Sequence, residues 1–366
     1  MKKLLFGITS LTIGGAERVL VDLANELCEK YEITIFTIYP NGEFEKNLSS
    51  KIKLKSLYNK QYKELNKLQK ILIPLQVLMQ QKNIYKKYIK NDYNVEIAFL
   101  EGAITRIFST KNKETTKIAW IHNDISKVFG NSVKAKIKRF VDKKIYSKYD
   151  KLVFVSNDNA KKFEEVYNNT VPKEVIYNYI NSDNVISKAE EIPDVEFDSN
   201  SVNFVTVARL VQQKALDRLI IVHSKLIKEG LKHNFYVIGE GPEKDKLEKM
   251  INDNQVQESF KLLGKRENPY PYIKKADYFC LLSYFEGYPM VVEEAKILNK
   301  PILITDTAAR EVVRDYENSQ IFENSEEGTY DGLKNIIKKG KKENNNAENN
   351  YNNQYIIKKI IELVGE

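Results

Sequence analysis

The sequence predicts an α/β protein built from two doubly wound parallel sheets. Its 366 residues include 42% hydrophobic residues, which suffices for two domains of about 100 to 200 residues each. Apolar runs typical of buried strands alternate with helical patterns, and strands joined through helices form parallel sheets. An acidic, broken stretch at residues 190–200 separates two series of runs. We therefore expect a first domain at residues 1–180, a linker at 181–200 and a second domain at 201–345.

Each series contains five apolar runs that we interpret as strands. The first series is Leu4 to Thr9, Ile33 to Ile38, Val95 to Leu100, Lys117 to His122 and Leu152 to Ser156. The second series is Val202 to Ala208, Asn234 to Ile238, Phe260 to Leu263, Tyr278 to Ser283 and Pro301 to Thr305. Open parallel sheets bind ligands beyond the carboxyl ends of their strands. The residues that follow these runs are therefore the candidates for chemistry.

The charge distribution favours an anionic partner. The formal net charge is +8, and Lys51–Lys90 holds eleven lysines against one acidic residue. Lys127–Lys151 holds nine basic residues against two acidic ones. Basic runs suit anionic surfaces, but no helix-turn-helix, zinc or RNA-recognition signature accompanies them, so nucleic acid is not expected. Cys28 and Cys280 lie far apart in the sequence, which argues against a disulfide framework or a metal cluster.

The amino terminus and the basic segments suggest a cytoplasmic protein, soluble or peripheral at the inner face of the cell membrane. No signal peptide is visible, and no apolar run approaches the roughly 18 residues of a spanning helix. Residues 65–89 mix lysines with apolar residues, a pattern compatible with a basic amphipathic helix on an anionic bilayer. A lysine-rich helix packed on the first sheet, with a solvated outer face, explains the pattern equally well.

Two glutamates eight positions apart form the most informative motif. Glu286 lies in a loop that interrupts an apolar run, and Glu294 falls in the second turn of the helix that follows Pro289. Proline suits the first turn of a helix, and a helix N-terminus favours an anionic ligand such as a diphosphate. Taken alone, the two glutamates are equally consistent with a solvated helix start.

Two cations follow the first strand of the second series. Arg209 leaves that strand, and Lys214 lies five positions on, near the start of the next helix. An arginine fork and a lysine point charge at one strand end can converge on a diphosphate. Elsewhere such a lysine is usually a solvated surface charge.

Glycine turns and one histidine also lie at strand ends. Gly14 and Gly15 after the first strand, and Gly239 and Gly241 in the second domain, allow close backbone approach to a ligand. Each is also compatible with an ordinary tight turn. The dinucleotide fingerprint G-x-G-x-x-G is absent, which disfavours NAD binding. His122 closes a strand, where a lone histidine is more often structural, although a neutral imidazole there can bond a ligand hydroxyl.

In this order and spacing, the motifs resemble those of glycosyltransferase family 4. Members are retaining, sugar-nucleotide-dependent transferases with the GT-B fold, in which two Rossmann-like domains face a cleft. The resemblance covers nearly the whole chain and is strongest from Val202 to Thr305. The chain departs from the family at Tyr288 and Pro289, where phenylalanine and glycine are usual, and at Ala215, where glycine is usual.

The resemblance implies a role for each motif residue. Arg209 and Lys214 would hold the nucleoside diphosphate and neutralise the leaving group. Glu294 would bond the ribose hydroxyls, and Glu286 would face the sugar. The other donor-binding residues that it implies are Gly14, Gly15, Gly239, Gly241, Gly264, Lys265 and Gly287.

The resemblance also assigns roles to residues of the first domain and to the carboxyl-terminal segment. The resemblance implies that His122 faces the transferred sugar, with Asp124 as a weaker neighbouring candidate. It also implies that a terminal helix at residues 354–366 packs back on the first domain.

The implied activity is metal-independent, retaining transfer of a hexose from a nucleotide sugar, taken as a UDP-sugar, to a lipid-linked or polymeric glycan in capsular or other cell-surface polysaccharide synthesis. No Asp-x-Asp motif occurs in the chain, in agreement with basic side chains and a helix dipole replacing a divalent metal, so no metal or cofactor is expected. Two alternatives stay open. One is a sugar-nucleotide epimerase with the GT-B fold, and the other is a non-catalytic, membrane-associated partner of a glycan assembly complex.

Overall fold

The computed structural model describes residues 1–12, 14–89, 92–110, 112, 114–123, 133–342 and 353–365. The chain divides into two compact units, the first comprising Met1–Ile180 with Asn353–Glu366 and the second Asn181–Asn352. Each unit is built on one parallel sheet interspersed with helices. None of the described helices is both long enough and apolar enough to cross a membrane.

The first unit contains a seven-stranded sheet. Its strands are β1 (Lys3–Ile8), β2 (Glu32–Thr37), β3 (Lys53–Ser56), β4 (Val95–Ala98), β5 (Thr116–Ile121), β6 (Lys151–Phe154) and β7 (Lys173–Val175). They lie in the order β3-β2-β1-β4-β5-β6-β7, and all neighbouring strands are parallel. The helices described between these strands are α1 (Gly15–Leu27), α2 (Lys67–Ile84), α3 (Ala103–Phe108), α4 (Val133–Tyr146) and α5 (Asn157–Tyr167).

The second unit contains a six-stranded sheet. It begins with α6 (Ser182–Lys188), and its strands are β8 (Val202–Val207), β9 (His233–Ile238), β10 (Phe260–Gly264), β11 (Tyr278–Leu281), β12 (Ile302–Thr305) and β13 (Ser319–Phe322). They lie in the order β10-β9-β8-β11-β12-β13, again all parallel. The helices between and after them are α7 (Leu216–Lys228), α8 (Lys244–Asp253), α9 (Tyr270–Lys275), α10 (Met290–Ile297) and α11 (Glu326–Lys339).

The apolar sequences of the central strands form the cores of both sheets. In β1, Leu4, Leu5, Phe6 and Ile8 are at most 1% exposed, and Phe204 in β8 is fully buried. Parallel strands are apolar throughout because both of their faces are covered. Burying one such leucine or phenylalanine stabilises the fold by about 1.5–3 kcal/mol. The predicted fold class is confirmed, and every predicted strand is present with ends that differ by at most two residues.

Both sheets reverse their strand order beside their first strand. In the first unit β1 lies between β2 and β4, and in the second unit β8 lies between β9 and β11. In open parallel sheets, ligand sites form at this reversal, outside the carboxyl ends of the strands. The loops after β1, β4, β8 and β11 are therefore the positions where this fold favours a ligand.

The segment 181–200, expected as a linker, is part of the second unit. It contains α6, which contacts α9 and α10. Farther along, Asp194 forms an ion pair with Arg266, with 3.0 Å between Oδ2 and Nη2. The ring of Phe197 lies on Tyr236, with 4.4 Å between ring centroids. The segment is thus held along the edge of the second sheet that carries β9 and β10.

The last helix, α12 (Asn353–Val364), groups with the first unit. Its buried face includes Ile356, Ile360 and Leu363. Lys359 donates from Nζ to the carbonyl of Val175 at the end of β7, over 3.4 Å. Residues 354–365 of the terminal segment are therefore packed on the first unit.

Candidate active site

Lys214 and Glu286 meet at the reversal of the second sheet. Lys214 ends a 3-10 turn, Gln212–Lys214, in the connection between β8 and α7, and Glu286 lies in the loop between β11 and α10. The Nζ of Lys214 lies 2.6 Å from Oε1 of Glu286, with the two side chains 16% and 5% exposed. Because β8 and β11 are neighbours, two segments separated by 72 positions form one ion pair.

Ser283 donates to the same oxygen of the Glu286 carboxylate that Lys214 contacts. The Oγ of Ser283 donates to Oε1 of Glu286 over 2.5 Å. The Oγ1 of Thr305, at the end of β12, donates to the carbonyl of Ser283 over 2.6 Å. Buried carboxylates are tolerated when they are paired and hydrogen-bonded, and Glu286 receives both kinds of partner.

The two loops are also joined through their backbones. The amide N–H of Tyr284 donates to the carbonyl of Gln213 over 3.0 Å, and the Gln213 side-chain amide donates to the carbonyl of Phe285, also over 3.0 Å. These two bonds join Gln213, which immediately precedes Lys214, to the two residues that precede Glu286. The positions of the ammonium and the carboxylate are therefore set by backbone contacts as well as by their mutual attraction.

Glu294 lies in the second turn of α10 and is 6% exposed. Tyr270, in α9, donates its hydroxyl to Oε1 of Glu294 over 3.0 Å. Glu286 is likewise 6% exposed, so neither glutamate belongs to a solvated helix start, and that alternative interpretation is wrong.

The loop that contains Tyr288 and Pro289 is held to the following helix by a hydrogen bond from Tyr288. The Tyr288 hydroxyl donates to the Glu293 carboxylate, and Lys296 lies 3.0 Å from the other oxygen of Glu293. Pro289 immediately precedes α10 in an extended conformation, φ −75° and ψ 110°. Tyr288 thus anchors the loop to the helix that Pro289 caps.

Arg209 projects from a loop that is shaped by two glycines. A Cβ on Gly239 would lie 1.9 Å from the carbonyl oxygen of Ala208, and one on Gly241 would lie 2.3 Å from that of Leu210. Gly239 also has φ +146°, which side chains rarely adopt. The side chain of Arg209 is exposed. Both glycines therefore pack closely against the backbone of the two residues on either side of Arg209. This packing sets the position of the Arg209 backbone.

Ala215 and Gly264 adopt left-handed backbone conformations. Ala215 has φ 51° and ψ 33° at the N-cap of α7, a conformation that costs a residue with a side chain about 1–2 kcal/mol. This cost explains why glycine is usual there in the family. Gly264 has φ +73°, and its carbonyl accepts the N–H of Gly239 over 2.9 Å. The neighbouring Lys265 side chain is exposed.

Gly14 and Gly15 begin α1 in the first unit. Gly14 is the N-cap, with φ −171°, and Gly15 is the first helical residue. A Cβ on Gly14 would lie 2.1 Å from the Glu17 carboxylate. Burial raises the pKa of the Glu17 carboxyl. The neighbouring residue Ile13 lies outside the described part of the chain.

His122 follows β5 in the first unit. Its ring centroid lies 4.7 Å from that of Phe99 and 6.4 Å from that of Trp120. Burial lowers the pKa of His122 to about 3 because the charged imidazolium loses its hydration, so the ring is neutral at pH 7. No described residue lies within hydrogen-bond distance of its buried Nε2. Asp124 lies outside the described residues.

The structure thus brings some of the predicted site residues together. Lys214 and Glu286 are in contact, and Arg209 and Glu294 follow the same neighbouring strands, β8 and β11. Gly287 is half-buried beside Glu286, while Gly14, Gly15 and His122 belong to the first unit. Among the described residues, no group of histidine, cysteine and carboxylate side chains is arranged to hold a metal ion.

Sequence reasoning missed two direct partners of the glutamates. Ser283 is three positions from Glu286 at the end of the predicted strand, and its place at a strand end is the sequence signal that marks it. Tyr270 is 24 positions from Glu294, and no local pattern indicates that their helices pack together.

Residues 187–353 match a family model described as glycosyl transferases group 1. The chain is 27% identical, over 93% of its length and 92% of the relative, to an N-acetylgalactosamine-N,N'-diacetylbacillosaminyl-diphospho-undecaprenol 4-alpha-N-acetylgalactosaminyltransferase of Campylobacter jejuni. It is 24% identical to a poly(ribitol-phosphate) alpha-N-acetylglucosaminyltransferase of Staphylococcus aureus, over 66% of the chain and 50% of that relative.

Among solved structures, the chain is similar to Anabaena Alr3699/HepE in complex with UDP and glucose. The TM-score is 0.75 at 16% sequence identity, covering 100% of this chain and 99% of that one. At this identity the similarity concerns the fold. The two parallel sheets, the family match and the sequence relatives together identify the chain as a glycosyltransferase with the GT-B fold.

Proposed function

We propose that this glycosyltransferase belongs to family 4 and transfers a hexose with retention of configuration from a UDP-sugar to a lipid-linked or polymeric glycan in cell-surface polysaccharide synthesis. The observation that carries the proposal is the Lys214–Glu286 ion pair at the reversal of the second sheet. A cation and a carboxylate held together there suit a ligand that combines a diphosphate with a sugar.

Arg209 and Lys214 would bind the donor diphosphate. The exposed guanidinium of Arg209 can approach a phosphate with its planar fork, whereas Lys214 supplies a point charge. Lys214 has three N–H donors, so it can keep its bond to Glu286 while it binds phosphate. Both charges would stabilise the nucleoside diphosphate as negative charge builds on it in the transition state.

Glu294 would accept hydrogen bonds from the ribose hydroxyls. The Tyr270 hydroxyl already occupies one side of Oε1, which orients the carboxylate. Glu286 would face the sugar and either stabilise positive character at its anomeric carbon or position its hydroxyls. The neutral imidazole of His122 would bond a saccharide hydroxyl through Nε2.

The remaining glycines and Lys265 would complete the donor site. Gly239, Gly241 and Gly264 would bring backbone groups close to the nucleotide, with Lys265 beside them. Gly287 would do the same beside Glu286. Gly14 and Gly15, at the N-terminus of α1, would offer backbone N–H groups to an anionic group.

An anionic membrane surface is the proposed site of action, at the inner face of the cell membrane. Support comes from α2, where Ile73 and Val77 are buried while Leu68, Leu72 and Met79 are 65%, 49% and 78% exposed. Exposed apolar side chains among lysines suit the interface of an anionic bilayer. The diphospho-undecaprenol named for the C. jejuni relative is an acceptor class that is found at such a surface.

A panel of nucleotide sugars tests the proposal by thermal shift and by transfer to glycan acceptors. A ligand that binds only the native state raises stability by RT ln(1 + [L]/Kd), about 2.7 kcal/mol at 100-fold excess over Kd. We expect a UDP-sugar to raise the melting temperature and to support transfer in the presence of EDTA, with the anomeric configuration retained. Epimerisation or hydrolysis of the donor without any transfer would instead indicate an epimerase-type reaction.

A further inference from the structure

The carboxyl ends of β4 and β5 are tied together by one carboxylate. Oε1 of Glu101, three residues beyond β4, accepts the backbone N–H of His122 and that of Asn123, each over 2.7 Å. Oε2 accepts the side-chain amide of Asn123 over 2.9 Å. Three N–H groups from the turn after β5 therefore converge on a single side chain from the neighbouring strand.

The backbone around Glu101 is arranged for this contact. Gly102, the next residue, has φ +105° and ψ −123° and caps α3, a conformation that a side chain rarely adopts. Burial raises the pKa of the Glu101 carboxyl, while the bonds from His122 and Asn123 oppose that rise because they favour the ionised form. The turn therefore supplies the donors that this carboxylate needs.

The His122 ring lies beside two aromatic rings, and both backbone polar groups of the residue are hydrogen-bonded. Phe99 and Trp120 pack near its faces, and the carbonyl of His122 accepts the side-chain amide of Asn159 over 3.3 Å. With its backbone N–H held by Glu101, the residue is fixed at both backbone ends. The buried Nε2 has no described hydrogen-bond partner.

We propose that Glu101 is a positioning residue that fixes the turn at His122 and Asn123, so that Nε2 of His122 is presented to a substrate saccharide hydroxyl. The proposal rests on the proposed function for the identity of that hydroxyl, and on the geometry of the first unit for the positioning itself. Glu101 acts through His122 and does not touch substrate.

The same pair of strands provides a matched control. Glu96 in β4 forms a buried ion pair with Lys117 in β5, with 2.6 Å between Oε2 and Nζ. Glu96 and Glu101 thus both connect β4 to β5, but Glu96 does so within the sheet and away from the His122 turn. A Glu96→Gln variant weakens the strand pair without removing the contacts of that turn.

Histidine-selective ¹⁵N NMR of the free protein tests the positioning without any substrate. The chain has three histidines, so a His122→Gln variant assigns the signals of His122. We expect one sharp set of His122 ring signals in the wild type and in Glu96→Gln, and broadened or doubled signals in Glu101→Gln. An Asn123→Ala variant, which removes a donor from an exposed side chain, should cause a smaller change in the same direction and covers the case in which Glu101→Gln does not fold. Unchanged His122 signals in Glu101→Gln and Asn123→Ala would overturn the proposal.

Steady-state kinetics then connect the positioning to transfer. Misplacing a reacting group by about 1 Å can cost about 100-fold in rate, so we expect kcat of Glu101→Gln to fall 10- to 100-fold while KM for the donor stays unchanged. Glu96→Gln should lose thermal stability but keep kcat. A fall in kcat with unchanged His122 signals would show that Glu101 acts on substrate directly and would overturn the proposal. Absence of transfer with every nucleotide sugar would overturn the proposed function alone, because the NMR result does not depend on it.

Discussion

Lys214 and Glu286 form an ion pair 2.6 Å long, although the resemblance assigns the lysine to the donor diphosphate and the glutamate to the sugar. The contact makes the two parts of the proposed site a single electrostatic unit. It also limits how Glu286 can act, since a carboxylate that accepts bonds from Lys214 and Ser283 is a weaker nucleophile than a free one.

The first prediction concerns this ion pair. Lys214→Met leaves the buried Glu286 carboxylate with Ser283 as its remaining described donor. We expect the free energy of unfolding of the second unit to fall by about 1–3 kcal/mol, and transfer to slow by about 100-fold or more. Urea unfolding followed by circular dichroism measures the loss. The single tryptophan, Trp120, lies in the first unit, so its fluorescence is the internal reference.

A double-mutant cycle provides the control for this prediction. Glu286→Gln and the double variant Lys214→Met/Glu286→Gln complete the cycle. Residues in direct contact couple by about 0.5–3 kcal/mol, so the effects of the two single substitutions should not add. Additive effects would show that the ion pair contributes no net stability.

The second prediction concerns donor binding by Arg209 and Glu294. Because the Arg209 side chain is exposed, Arg209→Ala should change stability by no more than about 0.5 kcal/mol while it weakens the shift in melting temperature caused by a UDP-sugar. Glu294→Ala should abolish that shift. Arg314 is an exposed arginine of the same unit, so Arg314→Ala is the matched control and should retain the full shift. Equal shifts in all three variants would remove the site assignment.

The third prediction compares two tyrosines. Tyr270→Phe removes the hydroxyl that donates to Glu294, so we expect about 1 kcal/mol of lost stability and weaker nucleotide binding, seen as a higher KM for the donor. Tyr288→Phe introduces the phenylalanine usual in glycosyltransferase family 4, which the motif resembles, and removes the bond to Glu293, which keeps Lys296 as a partner. It should therefore leave KM for the donor within about two-fold of the wild-type value. A larger rise in KM for Tyr288→Phe than for Tyr270→Phe would contradict this ranking.

The sequence predicts the central strands well because they are buried on both faces and apolar throughout. It does not predict β3, β7 or β13, which lie at sheet edges. In β3, Lys53, Leu54 and Lys55 are exposed, so no buried apolar run marks the strand. Edge strands of this kind are defined by pairing with a neighbour, here β2, and that partner is distant in sequence.

In the candidate site, too, local sequence predicts some residues and not others. Arg209, Lys214, Glu286 and Glu294 were predicted because charged residues at strand ends stand out against apolar runs. Their partners were not predicted, because the contact of Tyr270 with Glu294 depends on how α9 packs beside α10. Local sequence carries no record of such packing.

The fourth prediction separates two costs of replacing glycine. Gly239→Ala would place a Cβ 1.9 Å from the Ala208 carbonyl oxygen, whereas Gly230, with φ +84°, has no atom within 4 Å of its Cβ position. Gly230→Ala should cost about 1–2 kcal/mol from the left-handed backbone alone. Gly239→Ala should cost more than that and should also weaken the UDP-sugar response, because it displaces the loop of Arg209. Equal losses in urea unfolding, with an unchanged response, would exclude a packing role for Gly239.

The fifth prediction follows from a hydrogen-bonded chain through two buried histidines in the second unit. His233 Nδ1 lies 2.7 Å from the Leu231 carbonyl, which only accepts, so Nδ1 carries the proton and Nε2 is an acceptor. His223 Nδ1, 2.8 Å from that Nε2, must then donate. His223 Nε2 is left to accept from the Ser259 hydroxyl, also over 2.8 Å. Both rings are neutral. A proton added at Nε2 of His233 would set two N–H groups against each other, and one added at Nε2 of His223 would force the Ser259 hydroxyl to turn its hydrogen away from the ring and accept instead.

Protonation of this pair should therefore destabilise the second unit in acid. Burial lowers the pKa of His223 to about 2 and that of His233 to about 4, below the value of about 6.5 in an unfolded chain. Below about pH 6.5 the unfolded state binds more protons, so stability is full above that pH and is lost as pH falls, by up to about 1.4 kcal/mol per pH unit for each histidine. Urea unfolding by circular dichroism between about pH 5 and about pH 7.5 measures this slope. His223→Gln should reduce the slope of stability against pH by the equivalent of about one proton. His122→Gln, in the first unit, is the control and should alter only the transition that Trp120 fluorescence reports. An unchanged slope in His223→Gln would show that the histidine pair does not control the acid sensitivity of the second unit.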